Sequence, residues 1–353
     1  MKQNKITPKR VILIVSCVVL ALLLVLLLFA IVYVESMLNL INKKDPAVAE
    51  STLSSSQIDD ILNQTDEPDP DFTGPHLNGD DVTWAPDVED PLEKGDNIIN
   101  ILLIGQDRRA GESRSRSDAM ILCTINRSAK TLTISSFMRD MYVQIPGYRD
   151  NRINVSYAIG GMSLLDKCIE KNFGVQIDGN VEVDFSGFQN IIDKLGGVQI
   201  ELTSAEANFL NKNGNWDVEN NAGKWNLKAG LNNLNGSQAL AYSRIRYIGN
   251  GDFGRTNRQR TVLNSLMNKA KDMSLAELNG LLKEILPMLT TDLSDSEILG
   301  YASYILPMLS DLTVTTKQIP AEGAYKMTMI DGMSVLLPDL EKNREILAGI
   351  MKE

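Results

Sequence analysis

The chain has 353 residues, 43% of them hydrophobic, a net charge of −10 at pH 7, three cysteines and one histidine. That is enough apolar material for one large domain or two small ones. Three cysteines without a Cys-x-x-Cys pair exclude a disulfide framework, a zinc ribbon and a dithiol redox site, and the lone histidine, His76, excludes Ser-His-Asp, Cys-His and His-ligated metal chemistry. Chemistry is left to carboxylates, arginines and a hard metal ion.

Residues 1–10 carry Lys2, Lys5, Lys9 and Arg10, and residues 11–34 are free of charge. At about 1.5 Å per residue such a run crosses a hydrocarbon core of roughly 30 Å with some tilt, so 11–34 is expected to be an N-terminal transmembrane helix. It is too long for the apolar region of a cleaved signal peptide and lacks a small-x-small site. The basic flank places 1–10 in the cytoplasm and everything after Glu35 outside, giving a single-pass protein of the cell membrane with an extracellular C-terminal domain.

Residues 35–96 are expected to be an acidic extracellular linker. Between 42 and 96, fifteen acids face Lys43, Lys44 and Lys94, a net of −12, with many Pro and Gly turns and few large apolar residues beyond Phe72 and Trp84. Such a segment cannot bury enough surface to offset its ordering and reads as a disordered spacer. Residues 1–41 carry +3, so about −1 remains for everything after 96, which is nearly neutral.

From Asn97 the pattern changes to alternating strands and helices, which predicts an α/β layered domain over 97–353. Strands are expected at 98–105, 119–126, 131–137, 181–185, 198–202 and 313–319. The first and third read as buried parallel strands. A helical face over 163–172 is closed by Phe173-Gly174, and a second helix over 186–195 takes Ser186 as N-cap and Gly196-Gly197 as its stop. Thr203 or Ser204, with Glu206 following, opens a short helix. After an Asn- and Gly-rich excursion over 211–235, helices are expected at about 237–243, 255–273, 274–286, 294–309 and 339–352. Cys123 falls in a strand and Cys168 in a helix. A bridge between them is conceivable outside the cytoplasm, but buried free thiols are the preferred reading.

Most of the arginines lie in two windows, Arg108 to Arg139 and Arg244 to Arg260, each interleaved with aspartates. Guanidinium groups are planar forks that match phosphate oxygens two at a time, and carboxylates among them can hold magnesium against the same phosphate. Asp107 and Arg109 follow the apolar run that ends in Gly105, and Arg139 follows the run 131–137. Both positions are strand ends, where α/β sheets place ligands. Arg255 and Gln259 lie four apart on one face at a helix start, whose free amides favour anions. The pattern therefore points to a pyrophosphate site, against the alternative of salt-bridged surface patches. Arg258 and Arg260 read equally well as ordinary solvated charge.

Gly105-x-Asp107-x-Arg109, Arg116-Ser117-Asp118, Arg139-Asp140, Ile145-Pro146-Gly147, Arg152-Ile153-Asn154, Gly160-Gly161, Leu195-Gly196-Gly197-Val198, the run from Leu234 to Arg246, and Asp252-Phe253-Gly254-Arg255 with Arg258-Gln259 resemble the LytR-CpsA-Psr family in order and spacing. The resemblance implies a membrane-anchored α/β/α layered sheet domain that moves a glycopolymer, teichoic acid, capsule or similar, from a polyprenyl pyrophosphate carrier to peptidoglycan through a phosphodiester. By resemblance, Asp107 and Asp118 hold Mg2+ (or Mn2+), Arg116, Arg139, Arg244 and Arg246 clamp the pyrophosphate, Arg255 and Gln259 add phosphate contacts, and Asp252 orients the arginines. Arg109 and Asp140 match the motif with less defined roles, and Asp118 is the first choice for a general base. Met138 stands where the family usually has proline, and the spacer is too short for the accessory domain of some members.

A prenyl tail needs an apolar groove, for which Val183, Phe185, Phe188, Ile191 and Ile192 are candidates, with ordinary core packing as the alternative. Two rival functions on the same substrate are a non-catalytic receptor for lipid-linked glycans and a pyrophosphatase. A nucleic-acid partner is disfavoured, because the chain is acidic and its folded part is expected outside the membrane.

Overall fold

A computed structural model describes residues 32–44, 53–64, 74–84, 91–106, 116–213, 225–246, 248–249 and 251–352. The expected span at 11–34 lies outside these apart from its last three residues, which begin a short helix over 32–38. No helix among the described residues is long and apolar enough to cross a membrane.

A seven-stranded mixed sheet forms the centre. Its long strands are β1 (Ile98–Gln106), β2 (Ser117–Asn126), β3 (Thr131–Phe137), β4 (Gly179–Asp184) and β7 (Thr313–Ile319), in the order β4-β1-β2-β3-β7. The short strands Thr290–Thr291 and Asn42–Lys43 extend the β4 edge. Strands β1 and β3 do run in the same direction, but each pairs antiparallel with β2 between them. The expected parallel arrangement is thus corrected at this point: β1 is parallel only to β4, and β3 only to β7. Its consequence is that the C-terminal ends of β1, β3, β4 and β7 and the start of β2 meet at one edge of the sheet. Arg139 and Asp118 are therefore neighbours despite their separation in sequence.

Strand alternation divides the core into two layers. Leu102, Ile104, Met120, Leu122 and Phe137 face helices α2 (Ile153–Phe173) and α9 (Leu340–Lys352). The intervening residues Ile99, Ile121, Ile125, Leu132 and Ile134 face α6 (Gly251–Lys271) and α8 (Asp295–Met308). With period-2 side chains, each strand can be apolar on both faces and still place alternate residues in different layers. The result is the expected α/β/α sandwich. Cys123 belongs with the second layer and Cys168 with the first, on opposite faces of the sheet, and both are free thiols pushed up to about 12 by burial.

A third core covers the β4 side of the sheet. It joins α3 (Phe185–Lys194), β5 (Val198–Leu202), α4 (Ser204–Asn213), β6 (Gly230–Leu234) and α5 (Gly236–Arg244) around Ile192, Ile200, Leu210, Leu234 and Tyr242. The predicted strand at 198–202 is real but pairs with β6, outside the main sheet. The cap of helix α3 lies two residues before expectation: Asp184 rather than Ser186 caps it, accepting from the Gly187 N–H at 2.8 Å. The helix read over 163–172 starts at Ile153 and passes a non-helical Gly161, so its first ten residues escaped the pattern. As expected it closes at Gly174, which adopts the left-handed conformation at φ 73°.

Parts of the acidic segment are built into the domain, contrary to the expectation of a disordered spacer. Ser54 caps α1 (Ser55–Asn63) with a capping box, and Leu62 is buried in the first core. His76–Leu77 joins a three-stranded sheet with the hairpin β8 (Tyr325–Ile330) and β9 (Met333–Pro338). Trp84 stacks on Tyr142 at 6.2 Å and donates to Asp150 at 2.6 Å. Composition underestimated these pieces because each contributes only one or two apolar anchors, and the surface that receives them is formed elsewhere in the chain.

Candidate active site

Between the second sheet face and helices α3, α5 and α6 lies a groove of about 640 Å³, within the range of small-molecule sites. Its floor is Leu103, Gly105, Ala119, Ile121, Val181 and Val183, and its walls are Phe185, Phe188, Ile191, Leu240, Leu263 and Leu266. Gly105 and Ala119 are register partners, and a Cβ on Gly105 would sit 3.2 Å from that of Ala119, so small residues keep the floor open where the strands end. Helices α3 and α5 can close the wall because Gly236 lies against the Gln189 carbonyl, which an added Cβ would meet at 2.2 Å. Of the five residues expected to line such a groove, Val183, Phe185, Phe188 and Ile191 do so. Ile192 is instead fully buried in the third core, because one residue along a helix turns the side chain by about 100°.

The groove ends in a polar mouth formed by Asp118, Asp184, Ser243, Arg244, Arg246, Arg255 and Gln259. On α6, Arg255, Gln259, Leu263 and Leu266 follow at helical spacing, so a single stripe is cationic at its start and apolar further on. Arg244 ends α5 with its guanidinium 4.7 Å from the centre of the Phe185 ring. Arg246 lies 3.7 Å from Asp252.

Arg139 enters from the end of β3 and donates to Asp118 at 2.7 Å, with Asp140 at 3.5 Å. Burial acts to lower its pKa, but Asp140, Asp118 and Asp252 outweigh that and hold it above the ordinary arginine value. Arg255 behaves differently. Burial, then the charge of Arg139, then that of Arg246, push it down to about 10 in spite of Asp252 at 2.7 Å. Asp252 is held below the usual carboxylate range: burial opposes this, but Arg255, Arg139 and Arg246 prevail. A guanidinium still depressed beside a carboxylate occupies a place short of negative charge, which an anion would relieve.

The 2.7 Å approach of Arg255 Nη1 to Asp252 Oδ1 is a charge contact without hydrogen-bond alignment. Both atoms, together with Arg255 Nε, Arg139 Nε and Asp140 Oδ2, are buried with no hydrogen-bond partner. Buried N–H groups left unspent are costly in a protein interior and suit phosphoryl oxygens as acceptors.

The other expected site residues are placed as follows. Asp107 and Arg109 lie outside the described residues. Arg116 donates to the carbonyls of Ile61 at 2.9 Å and Gln64 at 3.4 Å, at the end of α1, and does not line the groove. Arg258 and Arg260 are not solvated charge. Arg258 is buried against Glu206 at 2.7 Å and donates to the Ile245 and Ile248 carbonyls, fastening α6 to α4 and the chain after α5. Arg260 is also buried, with one contact to Asn257 at 3.4 Å. Helix α6 starts at Gly251, so Arg255 is one turn inside it rather than at its free amides. Asp184 was missed, although an Asp at a strand end followed by an apolar helical face is a recognisable cap signal.

Among the described residues no group of three or more His, Cys, Asp or Glu side chains is placed to hold a metal ion. Magnesium commonly takes only one or two carboxylates and completes its shell with water and substrate phosphates. Asp118, at the groove mouth, is one hard oxygen donor of that kind.

The model of the LytR_cpsA_psr family matches residues 61–351. The chain is 31% identical over 268 residues to the regulatory protein MsrR of Staphylococcus aureus, covering 74% of this chain and 76% of that protein. It is 35% identical over 178 residues to the polyisoprenyl-teichoic acid–peptidoglycan teichoic acid transferase TagU of Bacillus licheniformis, covering 50% of this chain and 53% of the relative. The structure of TagT of Bacillus subtilis bound to LI-WTA superposes with a TM-score of 0.59 at 26% identity, covering 77% of this chain and all of the other. TagT with bound octaprenyl pyrophosphate lipid superposes with a TM-score of 0.56 at 25% identity and the same coverage.

Proposed function

Because the chain belongs to the LytR_cpsA_psr family, we propose that it is a phosphotransferase that moves a phosphoglycopolymer from a polyprenyl pyrophosphate carrier to peptidoglycan at the outer face of the cell membrane. The observation that carries this reading is one continuous groove, apolar along its length and lined at its mouth by Arg244, Arg246 and Arg255, with Arg139 bound to Asp118 beside them. An amphiphile with a long hydrocarbon tail and a diphosphate head matches that order of surfaces. The name of TagU and the ligands of TagT supply the substrate class.

In the reaction, a sugar hydroxyl of the acceptor attacks the glycan-linked phosphorus. The bond from that phosphorus to the bridging oxygen breaks, and polyprenyl phosphate leaves. Phosphoryl transfer depends mostly on positioning and on stabilising charge that spreads over the equatorial oxygens. Arg139, Arg244, Arg246 and Arg255 supply that stabilisation, Gln259 a further donor, and Asp252 keeps the Arg246 and Arg255 guanidinium groups oriented. Mg2+ (or Mn2+) held by Asp107 and Asp118 would neutralise diphosphate charge. The proton lost by the hydroxyl goes to a carboxylate of the mouth, with Asp118 the first candidate.

The test incubates the full chain in detergent with a polyprenyl pyrophosphate glycan, magnesium and peptidoglycan fragments, and seeks a phosphodiester-linked product by mass spectrometry. Product that disappears in Arg139→Ala and Asp118→Ala supports transfer. Tight binding with neither product nor consumption of substrate points to a receptor, and release of glycan phosphate without linkage points to a pyrophosphatase.

A further inference from the structure

The end of the apolar run and the segment after it are fastened to one face of the domain. Within its helix over 32–38, the Tyr33 hydroxyl donates to Asn279 Oδ1 at 2.7 Å, and Lys283 Nζ lies 4.9 Å from the Tyr33 ring centre. Both partners are on α7 (Leu275–Ile285). The chain then turns, and Asn42–Lys43 adds a parallel strand to Thr290–Thr291, with the Asn42 N–H on the Leu289 carbonyl at 3.1 Å. Lys43 donates to the Leu293 carbonyl at 2.8 Å and pairs with Asp295 at 3.0 Å, at the start of α8, while Lys44 pairs with the buried Glu182.

The face held in this way is unusually apolar for a surface. No described residue of α7 is fully buried, and Leu278, Leu281, Leu282 and Ile285 all remain partly exposed. Seven large apolar side chains stand most exposed among the described residues, and five belong to the tether or to α8: Val32, Leu40, Leu299, Tyr304 and Leu306. The other two, Leu231 and Met327, lie on β6 and β8. Leu299 and Leu306, seven residues apart, share one side of α8, whereas the Tyr304 ring packs against the Arg127 guanidinium at 4.4 Å. The tether, α7 and that side of α8 together have the apolar character of an interaction surface.

We propose that α7 and the outward side of α8 form a membrane-docking face that rests on the bilayer from which residues 11–34 emerge. The occupant follows from the tether. Tyr33 is among the last residues of the apolar run, at the level where tyrosine anchors spans at the lipid–water interface. Its hydrogen bond to Asn279 brings α7 to the same level. There the leucines of α7 leave water, and Lys283 reaches headgroup phosphates while its stem stays in apolar surroundings. Helix α7 packs on α3, the groove wall, so the lipid-binding groove lies one helix above the bilayer and a prenyl chain enters it with little exposure to water. The inference rests on the membrane anchor and on the lipid-linked substrate of the proposed function.

The test uses the full chain with Cys17→Ser and Cys123→Ser, because Cys123 is only half-buried while the buried Cys168 thiol resists labelling. Single cysteines are introduced as Ala30→Cys, Leu282→Cys, Leu306→Cys and Leu231→Cys, labelled with a fluorophore and reconstituted into phosphatidylglycerol–phosphatidylethanolamine vesicles carrying nitroxide lipids. Quenching at 282 and 306 is expected to exceed that at 231 several-fold, with 30 the most strongly quenched. Quenching at 30 with 282 and 306 no different from 231 overturns the docking face while leaving the anchor intact. No quenching at 30 refutes the anchor, and the docking face with it.

Discussion

Replacing Phe188 by alanine separates the two halves of the proposed ligand. The ring is half-buried and divides its contacts between the groove and the third core. Removing a fully buried side chain of this kind forfeits about 1.5–3 kcal/mol. With the ring shared between two neighbours, about 1 kcal/mol falls on a bound lipid, which is roughly fivefold weaker binding. A similar share falls on folding and lowers Tm by about 2–4 °C. Isothermal titration of the full chain with octaprenyl pyrophosphate and with inorganic pyrophosphate reads the difference: the variant is expected to lose affinity for the lipid and to bind inorganic pyrophosphate as before. Arg255→Ala is the complementary control and weakens both ligands by about tenfold or more, as expected for losing charge-assisted hydrogen bonds. Parallel losses for both ligands in Phe188→Ala, or an unchanged lipid affinity in a folded variant, would falsify the assignment of the groove to the hydrocarbon tail.

Three further outcomes follow from the structure. Asp252→Asn removes the carboxylate that Arg246 and Arg255 share, so transfer is expected to fall by about tenfold or more while pyrophosphate binding is retained; equal losses in both assays would show that Asp252 does not act by orienting the arginines. Asp166 is pushed up to about 7, chiefly by burial, although Asn180 donates to it. Its folded pKa lies above its unfolded value, so the folded state binds more protons and stability falls as pH rises from about 4 to 7; Asp166→Asn should abolish that fall, and urea midpoints at pH 5 and pH 8 that shift as in the parent would refute it. Glu206 is held below the usual carboxylate range: burial opposes this, but bonds from Thr203 and Arg258 prevail. It contributes stability above its unfolded pKa that is lost as pH falls through the folded one, and Glu206→Gln is expected to cost about 3 kcal/mol at pH 7 by leaving Arg258 buried without its partner, measured as a denaturant midpoint.

Local pattern determined much of this protein. Short apolar runs bounded by polar turns located β1, β2 and β3 to within about two residues. The helices expected at 274–286 and 294–309 do begin there, where the structure shows Ser274 and Ser294 capping α7 and α8 in boxes closed by Glu277 and Glu297. The two arginine windows and their aspartates pointed to phosphate chemistry, since residue type alone restricts what guanidinium and carboxylate groups can bind. Only the tertiary structure decided which members of those windows converge. Arg255 faces the groove, whereas Arg258 and Arg260, three and five residues further along the same helix, are buried away from it, and Arg116 turns to the end of α1. The same helical rotation separates Ile191 in the groove wall from Ile192 in the third core. The acidic segment shows the limit from the other side: His76–Leu77 and Trp84 carry too few apolar groups to fold alone, and they order only because β8, β9 and Tyr142 offer a surface assembled from distant parts of the chain. Sequence periodicity fixes which faces of an element are apolar or charged, but the neighbour that covers each face is a long-range property, set by how the sheet and its layers close together.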